Sequence, residues 1–429
     1  MRSAKTLAVA AITAATALAV TACAGGSGNT SEPTENIDLR MTVWSSNEDH
    51  LALFDSIADA YMADHPEIAS ITFDPLPFDD YTSTVTTQIA GGNAPDLAWI
   101  LENAAPDFVS SGALVPLTDV FEATDGYEYD DLAPSATELW TADDQLVAYP
   151  FSTSPFVVFA NDDLLAQAGQ PTSAELQASG DWNWEKIDEI GSAVHSSTGK
   201  AGFVVRDFDY LNWDYLSTVW NGWGAAPWNA DGTECTFASD EMVDAFTFLH
   251  DAAFTSQSMP GPGTTADFFA GEAAFTVTQI SRANLLADGG FTWNLLPLPE
   301  GPVGEYSVTG QAGIGALANG ANTAAATEFL AFFTNPENAA QLAEYFPPPR
   351  TSLLTVDTLA GANPLLTPEQ IEDVVIPGIE NGEVRPSHTD SAQIAQQVRA
   401  GLDALWVADA DIPAVLETTC GNISPLLEG

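Results

Sequence analysis

The sequence predicts an α/β protein of two domains. Its 429 residues are too many for one ordinary core. Twice, at residues 39–61 and 156–168, a short apolar run is followed by a polar turn and a helix-period segment. With 45% hydrophobic and 16% charged residues, the composition is that of a packed globular chain rather than a disordered one.

Residues 39–44 alternate weakly and read as a first strand, and Ser45-Ser46-Asn47-Glu48 make a polar turn. Leu51, Phe54, Ile57, Ala58 and Tyr61 then recur at helical spacing, and His65-Pro66 stops the helix. Residues 71–73 form a second strand. A parallel sheet presents ligand groups beyond the carboxyl ends of its strands, so Ser45, Asn47 and Glu48 are candidate ligand residues. Val85 and Ile89 mark a helix that Gly91-Gly92 end, and Pro95-Asp96 lead into a third strand. Phe156-Val157-Val158-Phe159 reads as a buried strand, any of Asn161, Asp162 and Asp163 can cap the helix from Leu164, and Gly169 and Pro171 close it.

Further on, Ile187, Ile190 and Val194 supply a buried helix face, and residues 201–205 form a strand. Residues 207–228 hold Trp213, Trp220, Trp223 and Trp228, a local excess beyond what core packing of one segment needs. Residues 276–278 form a strand that opens at Gln279-Ile280-Ser281-Arg282, and residues 291–299 form another. An Ala-rich helix at 323–333 and closing helices at 394–406 and 412–416 complete the chain.

Several of these passages, in this order, resemble the extracellular solute-binding proteins of the maltose-binding type. They are Tyr81 with Ala94-Pro95-Asp96, Gly112-Ala113-Leu114-Val115-Pro116-Leu117, the strand and helix at 156–169, Trp182-Asn183-Trp184-Glu185, Phe268–Phe275, the Gly-bearing run at 307–315, and Pro347-Pro348-Pro349-Arg350. The resemblance implies a two-lobe periplasmic-binding-protein-like fold with a ligand cleft between the lobes and several hinge crossings. One lobe would hold residues 37–150 and 310–377, the other residues 151–309 and 378–429. It implies a carbohydrate ligand, an oligosaccharide, delivered to the membrane subunits of an ABC permease, by a monomer with no catalytic role and no cofactor.

The resemblance also places Glu102 and Asn103, after the third strand, on the cleft. Asp209 and Gln279 would face them, with Ser154 at the first crossing and Gln311 at the second. At least one of Trp213, Trp220 and Trp223 would lie against the sugar's C–H face. Arg282 would hydrogen-bond hydroxyls or pair with a carboxylate. Many members carry Gly and Trp near this point and this chain does not, which places a stacking contact there in doubt. A phosphorylated polyol or another small solute, such as a cation, is the alternative ligand, and the phosphate case needs a basic pocket from Arg206, Arg282, Arg350 or Lys200. An extracellular polysaccharide-degrading enzyme and a purely structural surface lipoprotein are the other classes consistent with the sequence.

The first 22 residues read as a signal peptide, with Arg2 and Lys5 before a short apolar stretch at 7–20. Val20-Thr21-Ala22-Cys23 resembles a bacterial lipobox, which implies cleavage before Cys23 and its lipidation, on the outer face of the cytoplasmic membrane. The alternative is a plain secretory signal cut after Ala22. Residues 23–36 read as a flexible tether. Cys235 and Cys420 remain, and an even number outside the cytoplasm points to a disulfide, against two buried free thiols.

Ten Lys and Arg stand against 60 Asp and Glu, a formal charge of −50. Such a field repels nucleic acid and anionic lipid headgroups. The five histidines show no metal-ligand spacing, so no metal is expected. Ser197-Thr198-Gly199-Lys200 matches S-x-x-K without its S-D-N and K-T-G partners and reads as a turn. Adjacent acids such as Asp79-Asp80 and Asp143-Asp144 are expected by chance in so acidic a chain.

Overall fold

The computed structural model describes residues 36–206, 212–261, 263–287 and 289–427. The signal segment, Cys23, the tether and Asp209 lie outside them.

The first strand, β1 (Ile37–Val43), is followed by the helix Glu48–Asp64. Asn47 caps this helix, its side-chain oxygen accepting from the Asp49 and His50 amides at 2.8 and 3.4 Å. Phe54, Ile57, Ala58 and Tyr61 form its buried stripe. β2 (Ile68–Pro75) and β3 (Leu97–Leu101) pair parallel to β1 on either side. β4 (Thr141–Ala142) and β5 (Gln145–Leu146) form a small hairpin. Its turn is Asp143-Asp144, with φ of 50° and 61°, so this acidic pair serves a tight turn that needs left-handed residues.

β6 (Ala148–Asn161) is fourteen residues long and serves both halves of the molecule. Its first part pairs antiparallel with β10 (Ser307–Ala316). Its second part pairs with β8 (Ala273–Gln279) and β9 (Trp293–Leu296). β7 (Ala201–Val205) lies parallel to β8, and β11 (Gly382–Val384) parallel to the start of β10. Among the described residues nine strands form one sheet, ordered β2-β1-β3-β10-β6-β8-β7, with β9 on β6 and β11 on β10.

This sheet runs through two lobes, each with its own core. In the first, Met41, Val43, Trp99, Ile100 and Ile314 pack with Phe54, Tyr61, Phe329 and Phe333. In the second, β6 alternates. Phe156, Val158 and Ala160 face one layer with Ile187, Trp220 and Phe246, while Val157 and Phe159 face another with Phe268 and Leu295. Burial on both faces is why residues 156–160 are uniformly apolar. Asn161 caps the helix that follows, its oxygen accepting from the Leu164 amide at 3.0 Å.

One segment differs from the sequence reading, which placed residues 310–377 together in the first lobe. Leu359, Leu366, Ile371, Val374 and Val375 pack with Val157, Phe159 and Phe268 of the second lobe. The chain has therefore crossed by the Pro347–Arg350 bend, and residues 354–379 cover the second face of that lobe's sheet.

Cys235 and Cys420 are bonded, with an S–S distance of 2.02 Å and 185 residues between them. The bond ties the C-terminal helix Ile412–Leu427 to the second lobe.

Strand β7 and the helix Trp184–Thr198 touch backbone to backbone. A Cβ on Gly202 would sit 2.1 Å from the Gly191 Cα. Gly202→Ala is expected to cost about 1–3 kcal/mol or more by overpacking. Urea unfolding of the purified variant measures this, and an unchanged midpoint would contradict the packing described.

Candidate ligand cleft between the lobes

The ends of the parallel strands converge between the lobes. Trp44 follows β1, Phe78 follows β2, and Leu101 and Glu102 stand at the end of β3. From the second lobe come Arg206 after β7, and Gln279, Ser281 and Arg282 at the end of β8. The two crossing strands form the floor with Phe151, Ser152, Ser154, Gly310, Gln311 and Ala312, and Arg385 enters after β11. Together these residues line a chamber of about 190 Å³. This is where an open α/β sheet places its ligands.

Arg385 is the electrostatic centre of the chamber. It is 7% exposed and donates to the carboxylates of Asp214, at 2.6 Å, and of Glu102. Its guanidinium lies over the rings of Tyr215, at 4.3 Å, and Phe156, at 5.5 Å. Burial pulls it down to about 9, which leaves it charged at neutral pH. Glu102 belongs to the first lobe and Asp214 to the second, so the pairing spans the cleft. Arg206 hydrogen-bonds the Tyr215 hydroxyl and stacks over its ring, and Arg282 lies over Phe269 at 4.7 Å.

The other polar groups are partly engaged. Gln311 accepts from the Trp140 indole at 3.1 Å and donates to the Ser135 carbonyl at 3.2 Å, so it braces the crossing. Ser154 Oγ accepts from the Ser281 amide at 3.3 Å. Aromatic walls come from Trp44, Phe151 and Phe346, with Trp44 set edge-on to Trp99 at 4.7 Å. Phe78 sits edge-on to Trp44 at 6.0 Å and is 44% exposed, an apolar ring presented to solvent at the edge of the chamber.

A second chamber of about 260 Å³ adjoins the first. Ser45 and His50 stand on its first-lobe side, their side chains 2.8 Å apart, with the Tyr345 ring 4.3 Å from the imidazole. Burial lowers His50 from 6.5, the nearby Asp49 opposing this to a lesser degree. A histidine depressed in the folded state stabilises the fold above its unfolded value and loses that stability as pH falls through its folded value. Stability should thus decline as the pH falls below about 6.5, with a flatter profile in His50→Gln. Denaturation midpoints above and below that pH, and an imidazole NMR titration of His50, check this; a His50 that titrates above 6.5 would contradict it.

Of the residues singled out in the sequence, Glu102, Ser154, Gln279, Arg282 and Gln311 meet in the first chamber and Ser45 in the second. Asn47 is engaged as the helix cap, and Glu48 is exposed in that helix's first turn. Asn103 and Trp213 line a separate pocket of about 50 Å³ with Trp228 and His388. Trp220 is fully buried against Trp213, Phe237 and Phe246, and Trp223 packs on Phe248. Trp220 therefore belongs to the second lobe's core, and the two main chambers take their aromatic rings elsewhere. Arg350 is buried in the first lobe, donating to the Glu128 and Thr334 carbonyls, and Lys200 lines a different cavity of the second lobe. Sequence reasoning missed Trp44, Phe78, Phe346, Tyr215 and Arg385. The rule that selected Ser45 from a strand end would also have found Trp44 and Phe78. Among the described residues no group of three or more His, Cys, Asp or Glu is placed to hold a metal ion.

A two-lobed α/β molecule whose strand ends meet across a polar and aromatic cleft is a ligand-binding protein of the two-lobe type. The chain belongs to the family of bacterial extracellular solute-binding proteins, which matches it over residues 56–367. It is a binding protein and not an enzyme. It is similar to the sn-glycerol-3-phosphate-binding periplasmic protein UgpB of Escherichia coli strain K12, 24% identical over 326 residues, covering 70% of this chain and 71% of that one. Solved structures share the fold. The cyclic α-maltosyl-1,6-maltose binding protein of Arthrobacter globiformis aligns with a TM-score of 0.76 at 17% identity, over 92% of this chain and 99% of that one. The ABC substrate-binding protein Lmo0181 of Listeria monocytogenes, in complex with cycloalternan, aligns at 0.77 and 22% identity, over 91% and 98%. UgpB of Mycobacterium tuberculosis, in complex with glycerophosphocholine, aligns at 0.75 and 20% identity, over 92% and 98%.

Proposed function

We propose that this protein captures a carbohydrate in the cleft and delivers it to the membrane subunits of an ABC import permease. The observation that carries this reading is the composition of the cleft. Aromatic faces at Trp44, Phe78 and Phe346 stand beside hydroxyl and amide groups at Ser45, Ser154 and Gln279. A sugar ring presents matching C–H faces and hydroxyl edges. The strongest charge, Arg385, is already matched by two carboxylates, as suits a neutral ligand. The Arthrobacter and Listeria neighbours are described as binding or holding cyclic oligosaccharides, which agrees with this reading.

Capture would work by closure. Ligand touching both lobes favours the closed arrangement by its differential affinity for it, and the crossing strands β6 and β10 would flex. Lipid at Cys23, cleaved from its signal and spaced by the tether of residues 23–36, would hold a monomer at the outer face of the cytoplasmic membrane.

Thermal-shift and calorimetric screening against mono- and oligosaccharides tests the reading, because bound ligand raises the melting temperature by linkage. Phe78→Ala should weaken the best sugar roughly 5- to 150-fold with little change in the free protein's melting temperature. A second reading, a phosphorylated polyol, is favoured by the presence of Arg206, Arg282 and Arg385 in one chamber and by the E. coli relative. Tight binding of sn-glycerol 3-phosphate, with no response to neutral sugars, would replace the first reading by the second.

A further inference from the structure

Two polar bonds join the lobes directly, side by side along the chain. On the first lobe they start from Glu102, just after β3, and from Asp107. Asp107 lies in the short helix Ala105–Ser110, whose Ala105 and Phe108 are buried in that lobe's core. On the second lobe they end on the Arg385 guanidinium and the Asp390 amide. Residues 385–391 are fixed to the second lobe. Arg385 pairs with Asp214, the His388 ring lies 2.9 Å from the Gly232 carbonyl oxygen, and the helix Ser391–Leu402 buries Ile394, Val398 and Leu402 in that lobe's core. Both bonds must therefore break when the lobes separate.

The Asp107 bond supplies something the second lobe lacks. Asp390 precedes the helix Ser391–Leu402 with φ of 59°, and its side chain makes no capping bond to a helix amide. Its carboxylate accepts from the Gln393 side chain at 2.9 Å instead. The carboxylate at this helix's start comes from the other lobe, where Asp107 accepts from the Asp390 amide at 3.0 Å. A negative charge there also meets the positive end of the helix dipole. The Glu102 bond is buried, its carboxylate side 2% and its guanidinium side 7% exposed. Against both bonds works a formal charge of −50, which sets acidic lobes to repel each other. A neutral ligand brings no charge to offset that repulsion.

We infer that Glu102 and Asp107 form a clasp that holds the lobes together before ligand arrives. Asp107 lines neither chamber, so it acts as a positioning residue for capture without touching the ligand. The inference rests on capture by closure and adds to it what favours the closed arrangement in the free protein. Apparent affinity scales with the fraction of molecules in the binding-competent state, so a lost clasp reads out as weaker binding.

Small-angle X-ray scattering of the ligand-free protein tests it, together with calorimetry on the best sugar of the thermal-shift panel. Asp107→Ala and Glu102→Gln should each lower the closed-to-open ratio about 2- to 10-fold, and the double variant by more than either. The radius of gyration should rise accordingly. Kd in Asp107→Ala should rise by the factor by which the closed fraction falls. Asp107→Asn, which keeps an acceptor oxygen but loses the charge, should open less. Asp119→Asn, at an exposed site of the first lobe, should behave as the parent. Thermal unfolding of each variant shows that it is folded. Scattering of both clasp variants that matches the parent overturns the clasp and leaves ligand-driven closure standing. Weaker binding by Glu102→Gln with unchanged scattering also overturns it, and makes Glu102 a ligand contact. Variants that open and are not closed again by the sugar uphold the clasp and overturn ligand-driven closure. The scattering needs no ligand, so it decides the clasp even where no sugar of the panel binds.

Discussion

Arg385→Ala should destabilise the protein by about 3–5 kcal/mol, the largest loss expected from any single substitution at the cleft. The cause is not the removal of an attraction alone. Glu102 and Asp214 are both buried, and without the guanidinium between them two carboxylates face one another with little water to separate them. Breaking a buried ion pair from one side strands the remaining charge, whereas replacing all members by neutral groups is far less costly. The triple variant Glu102→Gln, Asp214→Asn, Arg385→Met should therefore recover most of the loss. Guanidinium unfolding, with the single and triple variants side by side, measures both quantities. A single variant within about 1 kcal/mol of the parent would mean that solvent reaches the triad and that its burial is overstated.

Reduction of the Cys235–Cys420 bond, or its replacement in Cys235→Ser with Cys420→Ser, should cost about 5 kcal/mol on the chain-entropy account, because the closed loop is so long. The bond spans 185 residues and anchors the last helix. Leu416, Ile423 and Leu427 of that helix are buried in the second lobe's core, and fraying of the helix would expose them. Unfolding midpoints with and without reductant give the difference, and alkylation of the native protein counts free thiols. Two alkylatable thiols at these positions before reduction, or an unchanged midpoint afterwards, would contradict the assignment.

Local signals in the sequence carried much of the architecture. Phe156–Phe159, the cap at Asn161 and the stop at Gly169 lie within fifteen residues, and each acts on its neighbours. Strand ends were partly legible: of Ser45, Asn47 and Glu48, selected on that rule, Ser45 lines the second chamber, while Glu102 and Gln279, which the family resemblance placed, line the first. What failed were inferences about direction and distance. Trp220 is apolar and aromatic in a segment crowded with such residues, but composition does not say which way an indole points, and this one points into the core. Residues 354–379 were placed in the first lobe by resemblance alone, and their apolar residues Leu359, Leu366, Ile371 and Val375 do not themselves say which sheet they pack against. Arg385 had no local mark at all. Its partners are 171 and 283 residues away, and only the folded chain brings them together.

The sharing of β6 and β10 between the lobes bears on how the molecule comes apart. A pair of globules joined by loose string could melt one after the other. Here the main-chain hydrogen bonds of each half run into the other: β6 is bonded to β10 and then to β8, and β10 reaches β3. Losing either core would strip pairing from strands that the survivor needs. Heating should therefore give one endotherm in scanning calorimetry, and a fragment ending at the waist should not persist as a stable half.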